Sequence, residues 1–396
     1  MSLWATLGPA LVASIAYVDP GNVAANISAG AQFGYQLTWV LVVANLMAMF
    51  IQYQSAKLGI VTGASLTEVL GDRLPRVGRY AFWAQAEFVA AATDLAEIIG
   101  GAIALQLLFD LPLLLGAVIT GAISLGLLVF QRGRSLFEKT VVGLLILISA
   151  GFLAGLFVNP PDASDTAAGL IPQLHGRESI VLAASMLGAT VMPHAIYLHS
   201  ALVKGHGSDN IDHLLAHTRH SIIIALSVAG AVNVGLLLLA AESLPDVPGI
   251  DTIAGAHGAI AAHLGNVVGV LFALGLFASG LASTSVGTLA GSEIMSGLLG
   301  AHIPVVVRRT ATLVPAFIII AVGVEPSTAL VISQAVLSLG IPFALVPLMR
   351  FVSAPAIMGR WAAGRCSRAV AVVLSAAVIT LNLALVATAF QLDPSR

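Results

Sequence analysis

Two stretches place coordinating side chains beside a proline within otherwise apolar sequence. The first reads Ala16-Tyr17-Val18-Asp19-Pro20-Gly21-Asn22 and the second Gly188-Ala189-Thr190-Val191-Met192-Pro193-His194. Pro20 removes a backbone donor and Gly21 weakens a helix, so the helical ladder is expected to open there. The freed carbonyls, the Asp19 carboxylate and the Asn22 amide oxygen are then all ligands for a cation. A kink that served packing alone would not need a carboxylate. Oxygen donors by themselves suit Mg²⁺ and Ca²⁺. Met192, at the matching break, adds a soft thioether and biases the set toward Mn²⁺, Fe²⁺ and later transition metals. A lone methionine in an apolar run is usually filler; its position at the break makes Met192 a ligand candidate.

Four of the 19 acidic residues lie inside apolar runs, namely Asp19, Glu87, Asp94 and Glu97. An ionisable group at membrane depth costs roughly 3 kcal/mol or more, so each needs a partner or a task. No Lys or Arg lies deep in any run; the pair Arg308-Arg309 stands only at a run's end. Unpaired acids in that setting suggest protons, cations or both. The alternative for any one of them is a neutral, hydrogen-bonded packing group. Glu87, Asp94 and Glu97 are spaced by seven and three, which puts them on one helical face as a ladder for protons. His194 is expected near the break and His199 further along, each either a proton carrier or a satisfied neutral histidine.

Spanning helices must position these groups. The chain has 396 residues, 58% hydrophobic and only 9% charged, against about 25% charged in a soluble domain. A soluble enzyme is excluded, and the net charge of −2 excludes a basic nucleic-acid binder. One cysteine, Cys366, excludes a disulfide framework and a cysteine-based zinc site. Uncharged runs long enough to cross a bilayer fall near 3–33, 36–60, 80–109, 111–131, 139–158, 178–203, 220–241, 259–292, 304–323, 327–349 and 369–391. The start has no basic n-region, so it reads as the first span rather than a cleaved signal. With the N-terminus cytoplasmic, 15 of the 17 Lys and Arg fall inside and only Arg177 and Arg396 outside. That places the C-terminus externally. The breaks fall in the first and sixth spans, and paired broken helices in matching halves point to a transporter site between inverted repeats.

Asp19-Pro20-Gly21-Asn22 together with Met192-Pro193-His194 resembles the Nramp family of divalent metal transporters, and the eleven-span layout matches many of its bacterial members. The resemblance implies an all-α polytopic membrane protein of LeuT-type fold in a single transmembrane domain, 1–396. Two inverted five-helix repeats, 3–158 and 178–349, would be followed by an eleventh helix, 369–391. It implies proton-coupled import of Mn²⁺, and also Fe²⁺, across the cell membrane by alternating access. Position by position, Asp19, Asn22 and Met192 match the metal-coordinating side chains. Ala16 and Ala189 match main-chain carbonyl ligands, and Gln334 the glutamine that approaches the metal. Glu87, Asp94, Glu97, Arg308 and Arg309 match a polar network for protons, with His194 beside the metal and His199 lower on the same half-helix. Asn45 and Asn382 match further polar positions. The expected partners are metal ions, protons and lipid, with no resident cofactor, no nucleic acid and no obligate protein partner.

Two rivals remain at this level: a Na⁺-coupled amino-acid carrier on the same fold, and an intramembrane metalloenzyme using His194, His199, Glu87 and Asp94. An acid at the first break argues against the former, and the absence of a His-Glu-x-x-His motif against the latter. His206, His213, His217 and His220 lie between spans six and seven; His213 and His217 have a metal-compatible spacing, but a surface amphipathic helix is the simpler reading. The 39 glycines and the small residues of Ser279–Ser285 are expected to let helices approach closely.

Overall fold

The computed structural model describes residues 3–130, 134–205, 210–244, 252–301 and 303–390, with side chains at 3–6, 128–130, 134–142, 305 and 388–390 left aside. Its described elements are helices joined by turns. The first expected span is a broken rod, α1 (Leu3–Ile15), a tight turn over Ala16–Val18, then α2 (Pro20–Phe33). Next come α3 (Thr38–Thr62), a short α4 (Leu66–Arg73), α5 (Arg76–Phe109), α6 (Leu113–Phe130), α7 (Arg134–Val158) and a short α8 (Ala163–Ala168). The sixth span is again broken, into α9 (Gly176–Thr190) and α10 (Pro193–Val203). The rest is α11 (Ile211–Ser243), α12 (Ile253–Leu264), α13 (Asn266–Leu299), α14 (Val305–Val322), α15 (Pro326–Val352), α16 (Pro355–Met358) and α17 (Arg365–Phe390).

Helical rods thus stand at all eleven expected positions. Among the described residues, seven stretches are long and apolar enough to cross a membrane by length and composition. Shorter apolar helices, Leu7–Val18, Leu113–Leu127 and Gly143–Val158, stand where spans one, four and five were expected. Three boundaries differ from the reading by uncharged runs. The expected span 259–292 divides at Gly265, whose φ of 97° ends α12 and starts α13; both sides are apolar, so composition hides the break. At its other end α13 continues through Glu293 to Leu299, because that carboxylate is paired with Lys204 at 3.3 Å and need not terminate the helix. Likewise α11 starts at Ile211, so the histidine-bearing segment expected as a separate surface helix is the first part of span seven. Arg132, His206, Asp209 and Arg396 lie outside the described residues.

Packing follows a paired pattern. The broken rods occupy the centre: α1 and α2 pack on α11, and α9 and α10 pack on α3. In the same way α5 packs on α15 while α13 packs on α7, and α5 and α13 face each other. Exchanging the first five spans for the next five maps each of these pairs onto the other. Small residues set the spacing: a methyl at Gly100 of α5 would lie 2.1 Å from the Pro20 ring, so only glycine allows α5 to reach the first break.

Candidate metal-binding site

Each proline frees a carbonyl four residues earlier, because the α-helical partner of that carbonyl is the N–H that proline lacks. For Pro20 the freed group is Ala16, and for Pro193 it is Ala189. At the second break the orphan is claimed across the bundle: Asn22 Nδ2 donates to the Ala189 carbonyl at 2.9 Å. The same amide donates to Asp19 Oδ1 at 2.8 Å, and the Asn22 backbone N–H donates to that oxygen at 2.7 Å. Asp19 is therefore the N-cap of α2, an arrangement that satisfies an orphan donor and sets the carboxylate at the positive end of a helix. Gln334, in the first half of α15, donates from Nε2 to Asp19 Oδ2 at 3.4 Å. Asp19, Asn22, Ala189 and Gln334 thus form one hydrogen-bonded unit drawn from three rods.

Met192 holds the position equivalent to Asp19, as the residue immediately before α10, with an extended backbone. Ala16 opens the tight turn of the first break. All six expected ligands, Ala16, Asp19, Asn22, Ala189, Met192 and Gln334, are fully buried. Asn22 Oδ1 and Gln334 Oε1 have no hydrogen-bond donor. Two buried amide oxygens without donors, beside a carboxylate, make an oxygen-rich pocket suited to a cation. No group of three or more His, Cys, Asp and Glu able to hold a metal occurs among the described residues, so a metal here would be held by amide, carbonyl and thioether groups around a single carboxylate.

A frame around the breaks was not legible as functional in the sequence. The Tyr17 carbonyl accepts from Asn233 Nδ2 at 2.6 Å, Asn233 Oδ1 accepts from Asn26 Nδ2 at 2.9 Å, and the Val18 carbonyl accepts from the Ser279 hydroxyl. These bonds satisfy the opened backbone from α11 and α13, which is why the first break can exist at depth. The available signals were a lone asparagine in the middle of span seven and the four-residue spacing of Asn22 and Asn26.

The acids of α5 require a correction. The apolar runs alone left them without bases, although the resemblance grouped them with Arg308 and Arg309; in the structure all three are ion-paired. Arg308 reaches Glu87 at 2.9 Å. Arg309 bridges Asp94 and Glu97, at 2.9 Å to the latter, and is itself completely buried. Ser283 donates to Glu97 at 2.9 Å, and Arg309 donates to Thr284 at 3.1 Å. The reason is geometric: α14 lies along α5, so bases at the start of one rod reach acids deep in the other. The spacing of seven and three does put the acids on one face, and that face meets α14.

Of the two histidines, His199 Nδ1 pairs with Gln52 Oε1 at 2.7 Å, and Gln52 donates to the Tyr17 hydroxyl at 2.5 Å. His194 is buried and neither ring nitrogen has a partner. Asn382 exchanges hydrogen bonds with Ser338 on α15 at 2.9 and 2.7 Å, a structural tie between α17 and α15. Asn45 packs against Gly230, where a methyl would lie 2.2 Å from its amide.

A family model described as "Natural resistance-associated macrophage protein-like", Nramp, matches residues 10–388. The divalent metal cation transporter MntH of Mycobacterium tuberculosis is 51% identical over 390 residues, covering 97% of this chain and 91% of that protein. A manganese transporter from Eremococcus coleocola, solved in complex with an aromatic bis-isothiourea substituted compound, superposes with a TM-score of 0.89 at 30% identity, covering 99% of this chain and 89% of that one. MhsT, solved with L-phenylalanine, shares the fold alone, at a TM-score of 0.64 and 12% identity over 95% of this chain and 98% of that one. With its LeuT-type architecture and both broken-helix motifs in place, the chain belongs to the Nramp family.

Proposed function

We propose that this protein imports divalent transition-metal ions, Mn²⁺ and also Fe²⁺, by proton-coupled alternating access, as a membrane transporter rather than an enzyme. The observation that carries this reading is the buried unit at the two breaks. It sets a carboxylate beside two donor-free amide oxygens, with the Met192 thioether one residue before the second half-helix. In this reading Asp19, Asn22 and Met192 ligate the ion with their side chains, Ala16 and Ala189 with their carbonyls, and Gln334 joins from α15. The soft sulfur disfavours Mg²⁺ and Ca²⁺ relative to transition metals. Similarity to the M. tuberculosis divalent metal cation transporter and the E. coleocola manganese transporter supports the same substrate class.

Protons would leave through the paired network of Glu87, Asp94, Glu97, Arg308 and Arg309, with His194 and His199 beside the route and Asp19 coupling the two ions. We take residues 3–158 and 178–349 as the inverted repeats. The asymmetry of basic residues supports a cytoplasmic N-terminus and an external C-terminus; in that orientation the membrane potential adds about 2.3 kcal/mol per charge per 100 mV to inward movement of cations.

Reconstituted vesicles containing a pH dye test this directly. Wild-type protein should take up Mn²⁺ with acidification of the lumen, and Asp19→Ala should lose both. Full metal uptake by Asp19→Ala would overturn the assignment. Calorimetric heat with an amino acid but not with Mn²⁺ would favour the Na⁺-coupled carrier instead.

A further inference from the structure

Away from the two breaks, the first turns of α11 carry metal-ligating side chains that the transport reading does not use. We propose that His213 and His217 form a second, chelating site for a late divalent transition-metal ion such as Zn²⁺, Ni²⁺ or Cu²⁺. Their Nε2 atoms lie 3.3 Å apart, with ring centroids at 4.3 Å and planes inclined by 53°. Two imidazole nitrogens bound to one Zn²⁺ at bond lengths of about 2.0–2.1 Å and a tetrahedral angle are themselves about 3.3–3.4 Å apart. The rings therefore already stand at the bite a metal requires. In the metal-free pair one ring carries its proton at Nε2 and hydrogen-bonds to the lone pair of the other Nε2. On coordination the donor ring shifts that proton to Nδ1 through solvent, so both Nε2 lone pairs face the metal and one hydrogen bond is exchanged for two metal–nitrogen bonds.

The surroundings hold this geometry. Asn210 caps α11 by accepting from the His213 N–H at 3.1 Å. Asp212 is fixed by Trp361 Nε1 at 2.7 Å and by Arg360 at 3.1 Å, and the Arg360 guanidinium lies 4.4 Å over the Trp361 ring. The start of α11 is thereby pinned to the segment before α17. His213 is exposed and His217 partly so, which leaves water to complete the coordination sphere. The neighbouring His220 is turned to its own helix, with Nδ1 2.8 Å from the Ala216 carbonyl. A site of two imidazoles follows the Irving–Williams order, with Mn²⁺ weakest and Cu²⁺ strongest. It would take the competitors of the proposed cargo rather than the cargo. The site itself stands apart from the transport reading; only its cytoplasmic location rests on the proposed orientation.

The test uses the full chain in detergent, with Asp19→Ala as background so that the transport site is disabled. Zn²⁺ titration calorimetry and Cu²⁺ electron paramagnetic resonance are the readouts. The Asp19→Ala protein should bind Zn²⁺ and show two equatorial nitrogens on Cu²⁺. Adding His213→Ala or His217→Ala should weaken Zn²⁺ at least about tenfold and abolish the two-nitrogen pattern. Zn²⁺ affinity unchanged by either histidine substitution, or no Zn²⁺ binding in the Asp19→Ala background, overturns the proposal. Both outcomes leave the transport assay unaffected, so failure here and failure of the transport reading are distinguishable.

Discussion

A methyl group at Gly21 would lie 1.7 Å from Gln334 Nε2, and one at Gly188 would lie 2.1 Å from the Gln334 carbonyl oxygen. The two collisions differ in what can move. The first is with the end of a flexible side chain, so Gly21→Ala should fold but push Gln334 off Asp19 and lower Mn²⁺ uptake. Because Gln334→Ala removes the obstruction, the double variant should transport no worse than Gln334→Ala alone, a coupling that uptake kinetics on all four proteins would expose. The second collision is with backbone, so Gly188→Ala should cost about 1–3 kcal/mol of overpacking, read as a lower melting temperature in detergent. Met192→Ala should retain part of the Mn²⁺ uptake while losing discrimination against Ca²⁺, measured by competition. Asp19, Asn22 and Met192 were legible because prolines flagged them, whereas Gln334 was visible only through family resemblance. Asn233 and Ser279 were missed because an uncharged polar residue in an apolar span carries little signal until its partner, more than 200 residues away, is known.

Among the elements, α14 shows how far one rod can supply charge to another. Arg309 holds two buried carboxylates of α5, so Arg309→Met leaves them uncompensated and should cost about 3–5 kcal/mol. Arg308→Met should cost less, because the Glu87 side chain remains 21% exposed; comparative melting of the two variants checks the order. The family resemblance grouped these bases with the acids, but the apolar runs alone did not, because they assign bases by position along the chain, whereas rods that cross bring their ends beside another rod's middle. A second tie joins the end of α10 to α4 and α13, where Lys204 reaches Glu68 at 2.8 Å and Glu293 at 3.3 Å. Burial pushes the Glu68 carboxyl up, but the Lys204 ammonium and the Ser65 amide outweigh it and hold the group below the ordinary carboxylate range. A depressed acid stabilises the fold above its ordinary pKa and loses that contribution as pH falls through the lower folded value. The melting-temperature gap between wild type and Lys204→Met should therefore be present at neutral pH and close in strong acid.

At the scale of the whole molecule, a rod stands at each of the eleven uncharged runs in the expected order, while the rods' ends and the separate helix α12 were not legible. Glu293 and the first turns of α11 carry charge inside continuous helices, which composition reads as boundaries. Orientation is testable with the native sequence, since its one cysteine, Cys366, is exposed at the start of α17. A membrane-impermeant maleimide should label it in inside-out vesicles and spare it in right-side-out ones; the opposite pattern would invert the topology. The Asn22 amide has a consequence for the complete transport cycle. Its Nδ2 donates at once to Asp19 and to the Ala189 carbonyl, two of the oxygens assigned to the ion. On the proposed function it acts as a placeholder that occupies those oxygens whenever the carrier travels unloaded. The return stroke then carries no bare carboxylate through the bilayer, and loading becomes an exchange of an internal donor for an external cation.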